Sequence, residues 1–585
     1  MIAIRSTLRN LGMSIDHAEL GLQALAKRDW EVAEIEFQKA LDVDPSNTEA
    51  NYGMATMALE AGYPEDAIDL LANASQSTDQ RIRSVKVAAI KHLTDASLLR
   101  LSKSGDLDAS MQLGSKYVAS SRWLDVKNLF EEVVKHSPDS AVIHGFLATA
   151  YLQLGRMEEC RAAMKNRVRL MPDDPVILSQ WIGLHSGKAD LSAEEFLGLS
   201  RAWDQRFGQA SSPLANVRPT HASAAGKIRV GFVSATFHHH ANCQFLLPLL
   251  EAMNRELFQI FAYHDGSAND EITARCRSAA HTFRNVRHLT DRQAAELIRK
   301  DEIDVLVDIN GHFDNSRLTI FTYRPAPVQI HYLGGTASTG VQCIDWRISD
   351  ELIEPSKLPE IGTERIHRIT GGIHSFHPLV RTTEPDDLPC LRNGYITFGS
   401  LNSQMKIEPQ VLRLWGQCLE AVPKSRLRLV KEIFADTGVR SDFTKRAGAA
   451  GIPESRLELI PGMSPASYDD LSVYHGIDIA LDTFPYNGIT TTCQALWMGI
   501  PVVTLWGDRF VSREAAAIIS RVGYPEWTAD TQDDYVEIAK QLAADSSQLI
   551  TLRRELRQCL IDSPLHDSAR LAREMEKFFR SVVLC

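Results

Sequence analysis

The sequence predicts two kinds of architecture in one chain: an array of short paired helices, followed by an α/β region built on two parallel sheets. Three observations carry this. A pattern of small and large apolar residues recurs with a period of about 34 residues through the first third of the chain. Short β-branched apolar runs then alternate with helical patterns, twice over. Between the two regions lies GQASSPLANVRPTHASAAGK, residues 208–227, whose Ser, Ala, Pro and Gly content reads as a linker.

The repeats come first. Leu20, Gly21, Ala24, Ala33, Phe37, Ala40 and Pro45 have the spacing of one tetratricopeptide unit, and Ala58, Ala67, Leu71 and Ala74 repeat part of it one period later. The register breaks over Arg81–Gly105, which predicts a helix and a degenerate unit. It restarts at Leu113, Gly114, Tyr117, Val126, Phe130, Val133 and Pro138, and again at Leu147, Ala148, Tyr151, Cys160, Met164 and Pro172. Small residues fall where paired helices approach, and large ones fill the gaps between them. Val176–His185 and Ala193–Phe207 predict two helices that cap the array, giving a repeat region over residues 1–207. Such an array offers a concave face for a peptide and carries no chemistry of its own.

The α/β region opens with a buried strand at Ile228–Ser234, a helix at Phe245–Met253, a strand at Phe258–Tyr263, a helix at Asp291–Lys300 and a strand at Val305–Ile309. A second series starts near Tyr395. It runs through ITFGS, a helix at Val411–Ala421, a strand at Leu427–Val430, a helix at Ser441–Gly448 and a strand at Leu457–Ile460. Two Rossmann-like domains, 228–390 and 391–585, follow from the alternation, with Ser563–Leu584 as closing helices.

Composition narrows the function. The hydrophobic fraction of 44% and charged fraction of 23% are those of a globular protein. A net charge of −11 argues against nucleic acid as a partner, so a phosphate site has to be made locally. Nine scattered cysteines with no CxxC pair predict a reducing cytoplasm and no zinc site. The opening MIAIRSTLRNLGMS lacks the apolar core of a signal peptide, and no run approaches membrane-spanning length.

The second series ends in DIALDTFPYNGITTTCQALWMGIPVVTLW, residues 478–506. It predicts a strand over Ile477–Leu481, a loop with Pro485, Asn487 and Gly488, a helix led in by Thr490, Thr491 and Thr492, and a strand over Val502–Leu505. A helix start beyond the end of a parallel strand is a site for phosphate. It is equally an ordinary N-cap.

This stretch resembles the nucleotide-sugar loop of the O-GlcNAc transferase family, in which tetratricopeptide repeats precede a glycosyltransferase of the GT-B fold. Other segments extend the resemblance over roughly residues 190–580. GFVSATFHHHANCQFLLPLL resembles the family's strand ending in a D-F-x-x-H loop, and His240 falls on the histidine set beside the sugar and acceptor. Thr236 and Ala241 depart from the usual Asp and Pro. YRPAPVQIHYLGGTASTG is similar to a family segment whose loop, here with Gly334 and Thr339, lets a sugar or phosphate approach the backbone; the same glycines serve a tight turn. FGSLNSQMKIEP resembles F-N-x-x-x-K-I-x-P, which puts Lys406 on the diphosphate-binding lysine. A lysine after a strand also serves as plain surface charge.

The resemblance implies an inverting, metal-independent transfer of N-acetylglucosamine from UDP-GlcNAc to Ser or Thr of a protein held by the repeats. It implies His240 and Lys406 as catalytic residues, and Lys406, Asn487, Gly488, Thr490, Thr491, Thr492, Gln494, Gly334 and Thr339 as the donor site. No cofactor beyond the nucleotide sugar, no metal, no nucleic acid and no membrane enters this expectation. Several positions depart from the family's pattern. Ile489 stands for a His, Gln494 for an Asp, Asp470 for a His and Ser403 for a Gln. These leave open another donor, such as GDP-fucose or UDP-glucose. A repeat scaffold without activity is the alternative from another class.

Overall fold

A computed structural model describes residues 16–74, 79–208, 226–313, 316–334, 338–379, 382–462 and 471–584. Most of the predicted linker, 209–225, lies outside the described residues, as does Asp470. The chain divides into two compact units, 1–147 and 148–585.

The first unit is built of antiparallel helix pairs, beginning with His17–Ala26, Trp30–Val43, Thr48–Glu60 and Pro64–Asn73. The small residues of the repeat have a steric reason. A Cβ on Gly21 would lie 2.4 Å from the Phe37 ring, and one on Gly53 would lie 2.1 Å from it, so two glycines clasp one buried ring. Gly114 stands against Phe130 in the same way, at 2.3 Å. The irregular stretch 81–105 resolves into helices Gln80–Ile90 and Asp95–Lys103.

The second unit holds two parallel sheets. The first comprises β1 (Ile228–Ser234), β2 (Phe258–His264), β3 (Thr282–Asn285), β4 (Val305–Asp308), β5 (Val328–His331), β6 (Trp346–Ser349) and β7 (Arg365–Arg368). Its order is β3-β2-β1-β4-β5-β6-β7. The second comprises β8 (Thr397–Ser400), β9 (Arg426–Lys431), β10 (Leu457–Pro461), β11 (Ile479–Leu481), β12 (Val502–Leu505) and β13 (Thr528–Ala529), in the order β10-β9-β8-β11-β12-β13. Both orders reverse direction once, between β1 and β4 and between β8 and β11. At such a point the loops beyond the strand ends diverge and leave a crevice for a ligand.

Parallel sheets need cover on both faces. On one face of the first sheet Val230, Phe232, Val305 and Val307 pack with Leu246 and Leu250, and with Met575, Phe578 and Phe579 of the last helix, Ser568–Leu584. That helix thus returns from the end of the chain to the first sheet. On the other face Val233, Phe261 and Leu306 pack with Ile182, Phe196 and Trp203 of helices Pro175–Gly183 and Ala193–Phe207. The helices predicted to cap the repeats therefore also form a wall of the α/β region. A buried ion pair ties the preceding helix, Met157–Leu170, to the start of helix Pro409–Ala421 in the second α/β domain: Arg161 Nη1 donates to Glu408 Oε1 at 3.1 Å, the two side chains being 5% and 7% exposed.

Candidate active site

The geometry is richest at the switch point of the second sheet. Asp482, just past β11, is buried among donors. It accepts from Asn402 Nδ2 past β8 at 3.0 Å, from Gly488 N–H at 2.7 Å and from Thr504 Oγ1 at 2.7 Å. Asn402 Oδ1 in turn accepts from Thr491 Oγ1 at 2.8 Å. The loop can close this tightly only because residue 488 has no side chain: a Cβ there would lie 2.3 Å from Thr491 Oγ1 and 2.4 Å from Asn402 Oδ1. Burial pushes the Asp482 carboxyl up to about 6.

Lys406 sits on a single turn, Gln404–Lys406, that follows β8. Its ammonium donates to the Asn487 carbonyl at 2.6 Å and lies 3.8 Å from the centre of the Tyr486 ring. Burial of the ammonium pushes its pKa down to about 8, against the pull of Asp482 and Glu514. Lys431, at the end of β9, donates to the Leu401 carbonyl at 2.5 Å. Burial, then the charge of Lys406, pushes Lys431 down to about 7. The loop thus gathers two ammonium groups in one poorly solvated place.

Helix Thr490–Trp497 begins here, and no side chain caps its first turn. Thr492 spends its hydroxyl on the Gly488 carbonyl at 2.6 Å, and Thr491 on Asn402. The first-turn N–H groups therefore have the uncapped form that anions bind. Asn487 stabilises the loop by donating from Nδ2 to the Thr483 carbonyl at 3.0 Å and from its backbone to Val511 at 3.0 Å. Gln494 is fully buried. Its Oε1 accepts from Tyr474 OH at 3.1 Å, while its Nε2 has no partner among the described residues. A cavity of about 20 Å³ lies between Tyr474, Asn402, Asp482, Thr491 and Thr492.

In the first domain His240 lies on the loop after β1, half-buried, with His238 edge-on to it at 5.5 Å. The loop is held by Asp270, which accepts from His239 N–H at 2.7 Å. His240 Nδ1 accepts from Asn242 N–H at 3.1 Å, so the neutral ring carries its proton on Nε2. Gly334, after β5, permits a close approach: its Cβ would lie 2.2 Å from His331 Cε1 and 2.8 Å from Gly311 N. His331 Nδ1 pairs with Asp308 Oδ2 at 2.7 Å. Asn310, past β4, accepts from Ala235 N–H at 3.2 Å, so the loops after β1, β4 and β5 form one network. Thr339 gives both its N–H, at 2.7 Å, and its hydroxyl to Glu364. Residues 335–337 of that loop lie outside the described residues.

The structure thus gathers Lys406, Asn487, Gly488, Thr490, Thr491, Thr492 and Gln494, and gathers His240 and Gly334 in a separate network. Phe313, whose N–H donates to the Asn310 carbonyl at 3.0 Å, meets the Tyr486 ring at a tilt of 55°, 6.1 Å between centres, and links the two networks. The sequence reading passed over Asn402, Lys431, Tyr474, Tyr486 and Asp482. Only the Asp of LDTFPYNG and the Lys of LRLVK, polar residues ending apolar strands, were visible signals for them. Among the described residues no group of three or more His, Cys, Asp or Glu could hold a metal ion, and no helix is long and apolar enough to cross a membrane.

Two doubly wound domains with polar loops at both switch points define a GT-B glycosyltransferase fold. The family description "Glycosyl transferase family 41" matches residues 212–377 and 369–575, and tetratricopeptide repeat descriptions match residues 19–80 and 117–179. The chain belongs to glycosyl transferase family 41 and carries tetratricopeptide repeats ahead of the catalytic fold. The chain is similar to the tomato protein named "Probable UDP-N-acetylglucosamine--peptide N-acetylglucosaminyltransferase SPINDLY", with 33% identity over 60% of this chain and 38% of that protein. A corresponding Arabidopsis thaliana protein, SEC, is 27% identical over 60% of this chain and 37% of its own length. The matched part of this chain thus spans less than half the length of these relatives. Among solved structures, a mutant of Thermobaculum terrenum O-GlcNAc transferase has a TM-score of 0.70 at 27% identity, over 97% of both chains.

Proposed function

We propose that this glycosyltransferase transfers N-acetylglucosamine from UDP-N-acetylglucosamine to Ser or Thr of a protein acceptor, with inversion at the anomeric carbon. The observation that carries the reading is the meeting of Lys406 with the uncapped start of helix Thr490–Trp497 at the switch point of the second sheet. The Lys406 ammonium, the neighbouring Lys431 and a helix N-terminus fit the diphosphate of a nucleotide sugar, which favours the charged form of both lysines. The names of the relatives support the donor and the acceptor class.

In this reading the acceptor hydroxyl attacks the anomeric carbon from the face opposite the diphosphate. The bond to the leaving phosphate oxygen breaks, the electron pair stays on the departing diphosphate, and the hydroxyl proton passes to water. Negative charge grows on the leaving group, where Lys406 and the first-turn N–H groups stabilise it. His240 acts from the first domain. Its Nδ1 is occupied by Asn242 N–H, which supports an orienting role through Nε2–H over proton abstraction. Gly334 contributes by letting the loop come close, and Thr339 by bracing that loop through Glu364. No step in this reading requires a metal ion.

The division of labour is residues 1–207 for the acceptor, 208–227 as linker, 228–390 for the acceptor side of the chemistry, and 391–585 for the nucleotide. A cytoplasmic setting belongs to the same proposal, supported by the eight described cysteines, all free.

The test is donor hydrolysis and transfer with UDP-N-acetylglucosamine, UDP-glucose and GDP-fucose, each with and without a Ser/Thr-rich protein acceptor. The proposal expects transfer from UDP-N-acetylglucosamine. Preference for GDP-fucose or UDP-glucose would replace the donor, and inertness with all three would leave a scaffold.

A further inference from the structure

Apart from the Lys406 cluster, a cavity of about 90 Å³ lies beneath the turn that follows β12. Phe196 and Leu197 of helix Ala193–Phe207 form one wall. Ile353 and Leu358, between β6 and β7, form another, and Phe510 and Val511 of the turn close it. Polar side chains line it as well, and two of them, Arg509 and Ser186, are almost fully buried. Arg509 is 6% exposed and Ser186 is 1% exposed.

Neither is accounted for by its protein neighbours. Arg509 Nη2 donates to the Lys188 carbonyl at 2.9 Å, but its Nη1 is buried without a partner among the described residues. Ser186 Oγ is in the same state. A buried donor left unmet is costly, and a guanidinium N–H the more so, so each calls for a partner such as a water, an ion or a ligand.

The acidic residues of the cavity do not fill the gap. Glu354 is held by Arg347 Nη2 at 2.7 Å, Glu360 by Arg368 Nη1 at 2.9 Å, and Asp508 is exposed to solvent. Arg368 and Arg513 are engaged with Glu360 and with the Gly507 carbonyl, so the unmatched groups of the lining named here are the Arg509 guanidinium nitrogen and the Ser186 hydroxyl.

We infer that this cavity binds a small organic acid, its carboxylate on Arg509 Nη1 and Ser186 Oγ and its hydrocarbon part among Phe196, Leu197, Ile353 and Phe510, and that its occupancy alters donor affinity. A carboxylate satisfies a guanidinium and a hydroxyl together, and the walls shield a short alkyl chain from water.

The cavity communicates with Lys406 from two sides. Val511, in its wall, accepts the backbone N–H of Asn487 at 3.0 Å, and Asn487 accepts the Lys406 ammonium at 2.6 Å. On the other side Gly187, next to Ser186, lies against Glu408, two residues past Lys406: a Cβ there would stand 3.3 Å from Glu408 Oε1. A ligand that fixes the 508–513 turn and the 185–188 turn therefore fixes both supports of the lysine.

The experiment uses the full chain with hexanoate as probe and hexan-1-ol as its uncharged counterpart. Thermal melts and titration calorimetry are run on the native chain, on Ser186→Ala, which leaves the packing intact, and on Arg509→Met, which keeps the apolar stem. Native protein is expected to show saturable stabilisation by hexanoate and little by hexan-1-ol. The hexanoate affinity is expected to fall at least fivefold in Ser186→Ala and further in Arg509→Met. UDP affinity in the native chain is expected to change at least twofold under saturating hexanoate. No saturable hexanoate binding, or equal binding in Ser186→Ala, overturns the site. An unchanged UDP affinity with hexanoate bound overturns the coupling. The hexanoate melts do not involve the nucleotide, so a failure of UDP to bind would count against the proposed function and leave this site standing.

Discussion

Replacing Lys406 by Met removes a charge and keeps the stem, so it isolates the electrostatic part of the donor site. A hydrogen bond from a charged donor contributes about 1.5–3 kcal/mol, which corresponds to about 10- to 150-fold in donor affinity. The loss in turnover should exceed this, because the leaving group gains charge as the bond breaks. Stability should change little. A lysine whose pKa is lowered from 10.5 to about 8 weakens the fold at neutral pH, and that penalty disappears as pH rises through this interval. Lys406→Met removes the penalty but strips the Asn487 carbonyl of its donor, and the two effects oppose each other. The same pKa sets a pH test. A diphosphate favours the charged lysine, so donor affinity in the native chain should weaken as pH rises through about 8. Lys431, held down to about 7 in part by the charge of Lys406, contributes to the onset of that loss. In Lys406→Met the alkaline limb near 8 should vanish. The assay is UDP titration calorimetry from pH 6 to 9.5, with transfer measured in parallel. A variant that keeps most of its transfer activity, or that keeps the alkaline limb unchanged, would refute the assignment of the diphosphate to Lys406.

Three further outcomes follow from the same geometry. His240→Ala should lower kcat at least tenfold with UDP affinity within about threefold, measured by steady-state kinetics and calorimetry; the reverse pattern would move the residue to the donor side. Arg161→Leu leaves Glu408 buried without its partner, so thermal and urea melts should show a loss of about 3–5 kcal/mol, largely recovered in the double variant Arg161→Leu with Glu408→Leu. Deleting residues 1–138 should keep UDP binding and abolish modification of protein acceptors, read by calorimetry and mass spectrometry; undiminished protein modification by the folded remainder would exclude the repeats from acceptor recognition.

Local chemistry was enough to read the strands and helices that shape the donor loop. The apolar runs Ile228–Ser234 and Val502–Leu505 are strands with those same limits, and the helix predicted at Asp291–Lys300 has its predicted bounds. The threonine-led helix start was legible because hydroxyl residues before an apolar run have few other uses. The strands β6, β7 and β13 were not, because they are short and, unlike the equally short VVTL of β12, carry no continuous apolar run: β6 is WRIS, β7 is RIHR and β13 is TA. Nor could residue spacing reveal partnerships that arise from sheet order. Asn402 and Asp482 are 80 positions apart and meet only because β8 and β11 are neighbours. The hydroxyl of Thr339, a candidate for the donor by its loop, is taken by Glu364 from a segment that local pattern does not connect with it. The repeat spacing, once it restarts at Leu113, likewise runs on to about residue 175, while packing breaks the chain at 147/148. What moves the later helices to the α/β side is a set of long-range ions, such as Arg156 with Asp442 and Arg161 with Glu408.

Gln494 offers the sharpest separation of structure from function. Its side chain is fully buried and half-satisfied: Tyr474 OH donates to Oε1 at 3.1 Å, and Nε2 finds no partner among the described residues. An unmet buried donor costs about 1–3 kcal/mol, so the amide weakens the empty protein. If its purpose is packing, Gln494→Leu should stabilise the fold and leave donor binding unchanged, since an apolar side chain of similar size suits a fully buried position. If Nε2 waits for an oxygen of the nucleotide, the same substitution should raise the melting temperature and weaken UDP binding together. The geometry favours the second outcome. Gln494 shares Tyr474 with the Thr491 carbonyl, in the first turn of the helix proposed to face the diphosphate, and a cavity of about 20 Å³ lies beside Tyr474 and Thr491. One hydrogen bond to a ribose oxygen, at about 0.5–1.5 kcal/mol net plus the relief of the unmet donor, predicts a loss of UDP affinity of at least about tenfold. Gln494→Glu adds a control: its carboxylate would be desolvated beside the diphosphate, so it should bind UDP still more weakly above the pH at which it ionises. A stabilised Gln494→Leu protein with native UDP affinity would show that the amide is a packing residue and that the nucleotide is read elsewhere.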